Sequence, residues 1–413
     1  MADEFRKMLS DEAETPNETR EIQPSTTLFT FTPETAGDNL NSCRPFVNDA
    51  LNSRLAQTLP EGEWTIRSST SLEPGLRSKH ILRAFDRIII QGDGPWQLFD
   101  RDLNSLARGY LDSSDVLLDA TNELFYLSDA AGMIEAYSLE DGNRVFSASL
   151  IFGHAYYRSF MARKNERMVV VSIEREIDQD AEPEDKPQSS TIEVLKFDEP
   201  QQIDQDGILR SSEVVAELIR KTLWLLSALQ DETLVVATDN QICLIDFDLQ
   251  IKTAINGEFA PTAMSLNNAG NIHLVIQDKE GQSLWLITPA GEKVYSTNLP
   301  KDVANIYHPP IVGYDHRVYL IADKRLLAFS PSGDCIWECK TQSDIGGATI
   351  TEDNQLLVSI GSELAVFDAS CKYKTLYEFK GESLQTPPTL TNGGELLVAS
   401  RNKLYCLTPA KRE

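Results

Sequence analysis

The chain has 413 residues and a formal net charge of −25, and 41% of its residues are hydrophobic. That charge excludes an extended phosphate-binding face, which needs clustered Lys and Arg. The absence of any window of about 18 apolar residues excludes membrane-spanning helices.

The opening stretch, Met1-Ala2-Asp3-Glu4-Phe5-Arg6, is acidic and polar, so no secretory signal is expected. Six cysteines (Cys43, Cys243, Cys335, Cys339, Cys371 and Cys406) are scattered without a framework and read as reduced thiols. Together these features predict a cytoplasmic protein.

Residues 1–24 carry seven acidic and three basic residues with few large apolar ones, the composition of a disordered tail. Thr26–Thr32 alternates like a short strand, and Pro45–Leu59 reads as an amphipathic helix with Phe46, Leu51 and Leu55 on one stripe. Residues 1–59 are therefore expected to form an acidic, partly disordered extension, either a lid packed on the main domain or a segment that orders on a partner.

From His80 onward one phrase recurs: three apolar runs separated by short turns, the third run ending in a polar residue. Those polar residues are Asp100, Ser138, Asp198, Asp246, Thr288, Ser330, Asp368 and Thr408, giving steps of 38, 60, 48, 42, 42, 38 and 40. A period near about 40 residues with several short strands per unit marks a β-propeller, so eight repeats predict eight blades. The run before each mark, such as Arg87–Gln91, Val318–Ile321 or Leu396–Ala399, is continuously apolar, as in a strand covered on both faces. A two-sheet sandwich would cover only one face.

A fourth, more polar strand follows in Gly291–Ser296 and Gly333–Glu338, but the last repeat has only Ala410–Glu413 left after Pro409. Pro60–Ser68 has the shape of those outer strands. It is expected to complete the last blade, removing the open edge and tying the chain ends together. Residues 60–413 are thus predicted to be one all-β, eight-bladed propeller closed by an N-terminal strand.

The segment Leu327-Ala328-Phe329-Ser330-Pro331-Ser332-Gly333-Asp334-Cys335-Ile336-Trp337 resembles the repeat of quinoprotein (pyrroloquinoline-quinone) propellers, where a strand ends in Ala-x-Asp before a Gly turn and a Trp. Leu286–Tyr295 and Tyr137–Phe146 look like copies with Tyr or Phe in place of Trp. The resemblance covers roughly residues 60–409. It implies the architecture shared by the quinoprotein dehydrogenases and the non-enzymatic outer-membrane-assembly lipoprotein. The chain departs from both, with no adjacent Cys-Cys pair and no lipobox cysteine. Trp-Asp repeat signatures are also missing.

Two insertions break the period. Glu174–Ser190 holds seven acidic residues, Glu174, Glu176, Asp178, Asp180, Glu182, Glu184 and Asp185, against two basic ones, and is expected to be a solvated loop. Glu199–Lys221 includes Ser211–Lys221, where Val214, Val215, Leu218 and Ile219 suggest an amphipathic helix. Glu176, Asp178, Asp180, Glu182, Glu184, Asp185, Val215 and Ile219 are the predicted partner-binding residues, facing a protein with a basic surface.

The five histidines show no metal-ligand spacing, and Cys335 and Cys339 on one extended strand would lie about 13 Å apart. Phosphate-loop and nucleophile-elbow motifs are missing. Asp141-Gly142-Asn143, Asn267–Asn271 and Asn392-Gly393-Gly394 fall where hairpins must turn. The sequence therefore predicts a non-catalytic interaction scaffold without a cofactor, binding neither nucleic acid nor membrane. The alternative is an enzyme with a site in the central channel, a quinone-dependent dehydrogenase or a hydrolase or lyase.

Overall fold

The computed structural model describes residues 54–55 and, between 58 and 410, all but short connecting stretches, of which 175–188 and 197–207 are the longest. The described residues contain strands and turns and no helix. Their strands form eight antiparallel sheets of four strands, two of which gain a fifth strand in parallel. The sheets are numbered here first to eighth in chain order, beginning with His80–Ala84.

The eight third strands, from Pro95–Phe99 in the first sheet to Lys403–Pro409 in the eighth, coincide with the apolar runs that set the period. Several of the polar residues closing these runs have a structural task. Asp100 Oδ1 accepts the backbone N–H groups of Asp102 and Asn104 at 2.9 and 2.8 Å. Asp368 Oδ1 likewise accepts those of Ser370 and Lys372 at 2.8 and 3.0 Å. Ser330 Oγ takes the N–H of Asp334 at 3.0 Å. Asp, Ser and Thr recur there because their short oxygens fold the chain into the fourth strand.

The second strands Val318–Ala322 and Leu356–Ile360 are buried along their whole length. Each buried Leu, Ile or Val contributes about 1.5–3 kcal/mol relative to exposure, and these residues fill the seams between sheets. Trp96 and Leu98 of the first sheet pack with Val116, Phe125 and Tyr137 of the second. First strands of the second and third, and of the third and fourth, are in contact. Single clusters join fourth to fifth, fifth to sixth, sixth to seventh and seventh to eighth. Leu397, Ala399, Leu404 and Cys406 of the eighth then meet Ile81, Ile88, Ile90 and Phe99 of the first. The sheets close into a ring.

Contacts between first strands of neighbouring sheets place those strands innermost. Fourth strands lie outermost, and Ser105–Tyr110, Lys293–Asn298 and Cys335–Lys340 alternate exposed and half-buried positions. In the eighth sheet the outermost strand is Trp64–Ser71, antiparallel to Lys403–Pro409, with Trp64 opposite Pro409 and Thr65 opposite Thr408. The strand expected from Pro60–Ser68 therefore lies where the sequence predicts, beginning at Trp64 and running on to Ser71.

The helix expected over Pro45–Leu59 is corrected at its C-terminal end. Arg54–Leu55 is a two-residue strand paired in parallel with Ile350–Thr351, on the innermost edge of the seventh sheet. Residues 45–53, like the strand expected at Thr26–Thr32, lie outside the described residues.

The helix expected over Ser211–Lys221 is also replaced by a strand. Glu213–Leu218 is the fourth strand of the third sheet, paired with Ser189–Lys196. The open edge of Ser189–Lys196 offers it ladder hydrogen bonds, and this tertiary pairing overrides the local pattern.

Candidate partner-binding surface

The outer strands carry a recurrent irregularity. In all eight sheets the ladder between third and fourth strands skips one residue of the fourth. The skipped residues are Leu106, Val145, Val215, Lys252, Val294, Ile336, Leu376 and Arg67. Such a bulge puts two successive residues on the same side and turns one side chain away from the packed face. Leu106, Val145, Val294 and Ile336 are 40%, 56%, 57% and 44% exposed. Isolated exposed aliphatics need no explanation, but repetition at one structural position on four of the eight outer strands makes a set.

Val215, predicted as a binding residue, holds this position in the third sheet, although the helix invoked for it does not form. Ile219 and the acidic residues Glu176, Asp178, Asp180, Glu182, Glu184 and Asp185 lie outside the described residues. Their loop is bounded by Arg167–Glu174 and Ser189–Lys196, the second and third strands of the third sheet. The bulges themselves escaped the sequence reading. Their signal is an aliphatic followed directly by an aromatic after the turn, as in Arg144-Val145-Phe146, Lys293-Val294-Tyr295 and Cys335-Ile336-Trp337, which breaks strict alternation.

Charged groups on the rim pair across the seams. Arg67 of the eighth sheet lies 3.0 Å from Glu395 and 3.5 Å from Asp102 of the first, and donates to the Arg101 carbonyl at 2.8 Å. Arg325 reaches Asp302 at 2.8 Å and Glu338 at 3.2 Å, and Arg108 pairs with Glu73. Asp302 is held below the usual carboxylate range chiefly by its hydrogen bond from Arg325.

Glu135, only 8% exposed, is a buried carboxylate with its partners in place. It accepts from the Tyr137 hydroxyl and pairs with Arg144 at 2.7 Å. Burial, followed by that bond to Glu135, raises the Tyr137 phenol. The arrangement commits the carboxylate to fixed partners, and suits structure better than proton transfer. Among the described residues no group of three or more His, Cys, Asp or Glu side chains is placed to hold a metal ion.

The edges of the sheets already serve as docking sites for this chain. Ile208–Arg210 adds in parallel to Ser147–Ser149 on the outer edge of the second sheet, and Arg54–Leu55 adds to the inner edge of the seventh.

No family profile and no curated protein matches the sequence. Solved structures do match over most of its length. BamB from Moraxella catarrhalis is 11% identical, with 85% of this chain and 99% of that one covered at a TM-score of 0.58. The Dos1 propeller is 11% identical over 85% and 97% at 0.60, and Sqt1 from Saccharomyces cerevisiae 10% over 85% and 100% at 0.58. The fold is a β-propeller. At such low identity the likeness speaks for the fold alone, and the function must be argued from the propeller's own surface.

Proposed function

We propose that the chain is an eight-bladed propeller of the quinoprotein-repeat type, each sheet one blade, that serves as a non-catalytic, cytoplasmic protein-interaction scaffold. In this reading residues 60–413 form the ring and residues 1–59 an acidic extension. The partner is a protein with a basic surface that docks on the rim around the third and fourth sheets. The observation that carries the proposal is the set of exposed aliphatic side chains at equivalent bulges of the first, second, fifth and sixth sheets, which flank the third and fourth, together with the outer edge of the second sheet, which already accepts an added strand. An apolar rim on a strongly acidic molecule combines contact area with long-range attraction for a basic partner.

The test compares partners retained from native lysate by wild type, by the Val294→Asp/Ile336→Asp variant, and by a chain whose residues 176–187 are replaced with a Gly-Ser linker. The loop replacement is expected to weaken retention of the basic partner about tenfold and to flatten its salt dependence. The rim variant is expected to lose binding at all salt concentrations. Unchanged retention by both variants at wild-type Tm would contradict the scaffold reading.

A further inference from the structure

The turn between third and fourth strands repeats around the ring, and one of its positions lies in the left-handed region. Gly142, Gly291 and Gly333 occupy it with φ of 71°, 84° and 89° in the second, fifth and sixth sheets. In the seventh sheet the residue there is Cys371, with φ 66°, and in the first it is Leu103, also at 66°. A side chain at such a φ is unfavourable relative to glycine.

Space is short there as well as backbone freedom. A Cβ on Gly142 would collide with Ala107, and one on Gly291 with Thr253, each on the fourth strand of the preceding sheet. A Cβ on Gly333 would lie 2.7 Å from the Tyr295 ring and 2.8 Å from Thr297 Oγ1. Counting from the bulges at Val294 and Ile336, Tyr295 and Thr297 correspond to Trp337 and Cys339. The seventh sheet therefore places a cysteine where the second, fifth and sixth have glycine, facing a cysteine where the fifth has Thr297.

The seam between sixth and seventh sheets has the geometry this equivalence predicts. Trp337 and Cys339 project from the same side of Cys335–Lys340, and both pack against the cluster shared by the two sheets. Trp337 Nε1 donates to the Ala369 carbonyl at 3.2 Å, fixing the strand against the turn that carries Cys371. Both thiols are reduced and half-buried, and they touch one another. Burial, and then the proximity of Cys339, pushes the Cys371 thiol up to about 11. Cys371 therefore keeps its proton at neutral pH.

We propose that Cys339 and Cys371 are a redox modification site, a thiol pair that closes to a disulfide stapling the sixth sheet to the seventh, with a small-molecule disulfide such as oxidised glutathione as oxidant. Cys339 thiolate attacks one sulfur of the oxidant, releasing a first glutathione thiolate that takes up the proton. Cys371 then loses its proton and attacks the Cys339 sulfur of the mixed disulfide. The second glutathione leaves, and two electrons have passed from the protein to the oxidant. Linking residues from separate sheets restrains the unfolded chain and raises Tm.

Full-length protein is equilibrated in glutathione buffers of graded oxidation, quenched with acid and mapped by non-reducing mass spectrometry, with Tm recorded alongside. The expected result is a Cys339–Cys371 linked peptide before any other protein disulfide, with Tm rising by a few degrees. Cys371→Gly, which supplies the residue that the second, fifth and sixth sheets carry there, is expected to fold and to lose both the linked peptide and the Tm rise. Recovery of both cysteines as free or singly glutathionylated thiols, in buffers that fully modify exposed Cys335, would overturn the proposal. A Tm rise that persists in Cys371→Gly would overturn it equally.

Discussion

Removing residues 1–71 is expected to lower Tm by on the order of 10 °C or more, or to prevent folding, whereas removing residues 1–59 is expected to change it by only a few degrees. The two truncations differ by little beyond one strand. Trp64–Ser71 supplies the outermost ladder of the eighth sheet, and Trp64, 4% exposed, seals the cluster between the seventh and eighth sheets. Truncating a buried Trp alone costs about 3–5 kcal/mol, so Trp64→Ala should reproduce much of the larger effect. Losing the strand also removes Arg67, which joins Glu395 to the first sheet, and exposes the edge of Lys403–Pro409. The shorter truncation removes the two-residue pairing at Arg54–Leu55 and the partly buried Leu59. Thermal unfolding of the two truncated chains settles the matter, and equal Tm values would contradict the closure.

Trp96→Ala is the second substitution expected to have a large effect, destabilising the protein by about 3–5 kcal/mol. Trp96 stands between the first and second sheets with its ring centroid 5.2 Å from Phe125 and 4.8 Å from Tyr137. Phe125 and Tyr137 themselves stack at 5.2 Å. Cutting out the indole leaves a cavity walled by two rigid rings on paired strands, which have little freedom to collapse. The matched control is Leu106→Ala on the adjacent outer strand, 40% exposed, which is expected to change stability by about 0.5 kcal/mol or less. Chemical denaturation of both variants checks the contrast. A Trp96→Ala cost as small as the control's would mean that the seam is not packed as described.

Much of the ring was legible because its sheets repeat the same local chemistry. Asp100, Ser330 and Asp368 appear in the sequence as punctuation because each caps the turn that follows its third strand. Second strands are apolar on both faces because a sheet packs on each side of them. The shape of Pro60–Ser68 matched the outer strands, and this located the closing strand about 340 residues away in sequence.

What could not be read has a physical cause at each place. Val214, Val215 and Leu218 mimic helical spacing because the bulge at Val215 puts neighbouring residues on one side of a strand. Without the register, the break in alternation looks like a change of period. The apolar rim was missed for the same reason, since Val145, Val294 and Ile336 cannot be told from core residues until their bulges are seen. Cys339 and Cys371 lie on different sheets, and linear spacing directed attention to Cys335 and Cys339, which share one strand. The parallel additions at Arg54–Leu55 and Ile208–Arg210 lack any local sequence signal. Two or three residues carry too little pattern to specify a partner.

The account stands on the joining of the chain's two ends within one sheet, and cross-linking tests this most directly. Thr65 and Thr408 are register partners in that sheet, as Ser283 and Asn298 are within the fifth. Directly opposed antiparallel residues have Cα separations of about 4.5–5.5 Å, within the range a disulfide can span. Under mild oxidation the Thr65→Cys/Thr408→Cys chain is predicted to yield a linked peptide joining those positions, as efficiently as the Ser283→Cys/Asn298→Cys control. Free thiols at 65 and 408 under conditions that link the control would show that the ring is not closed by its N-terminal strand.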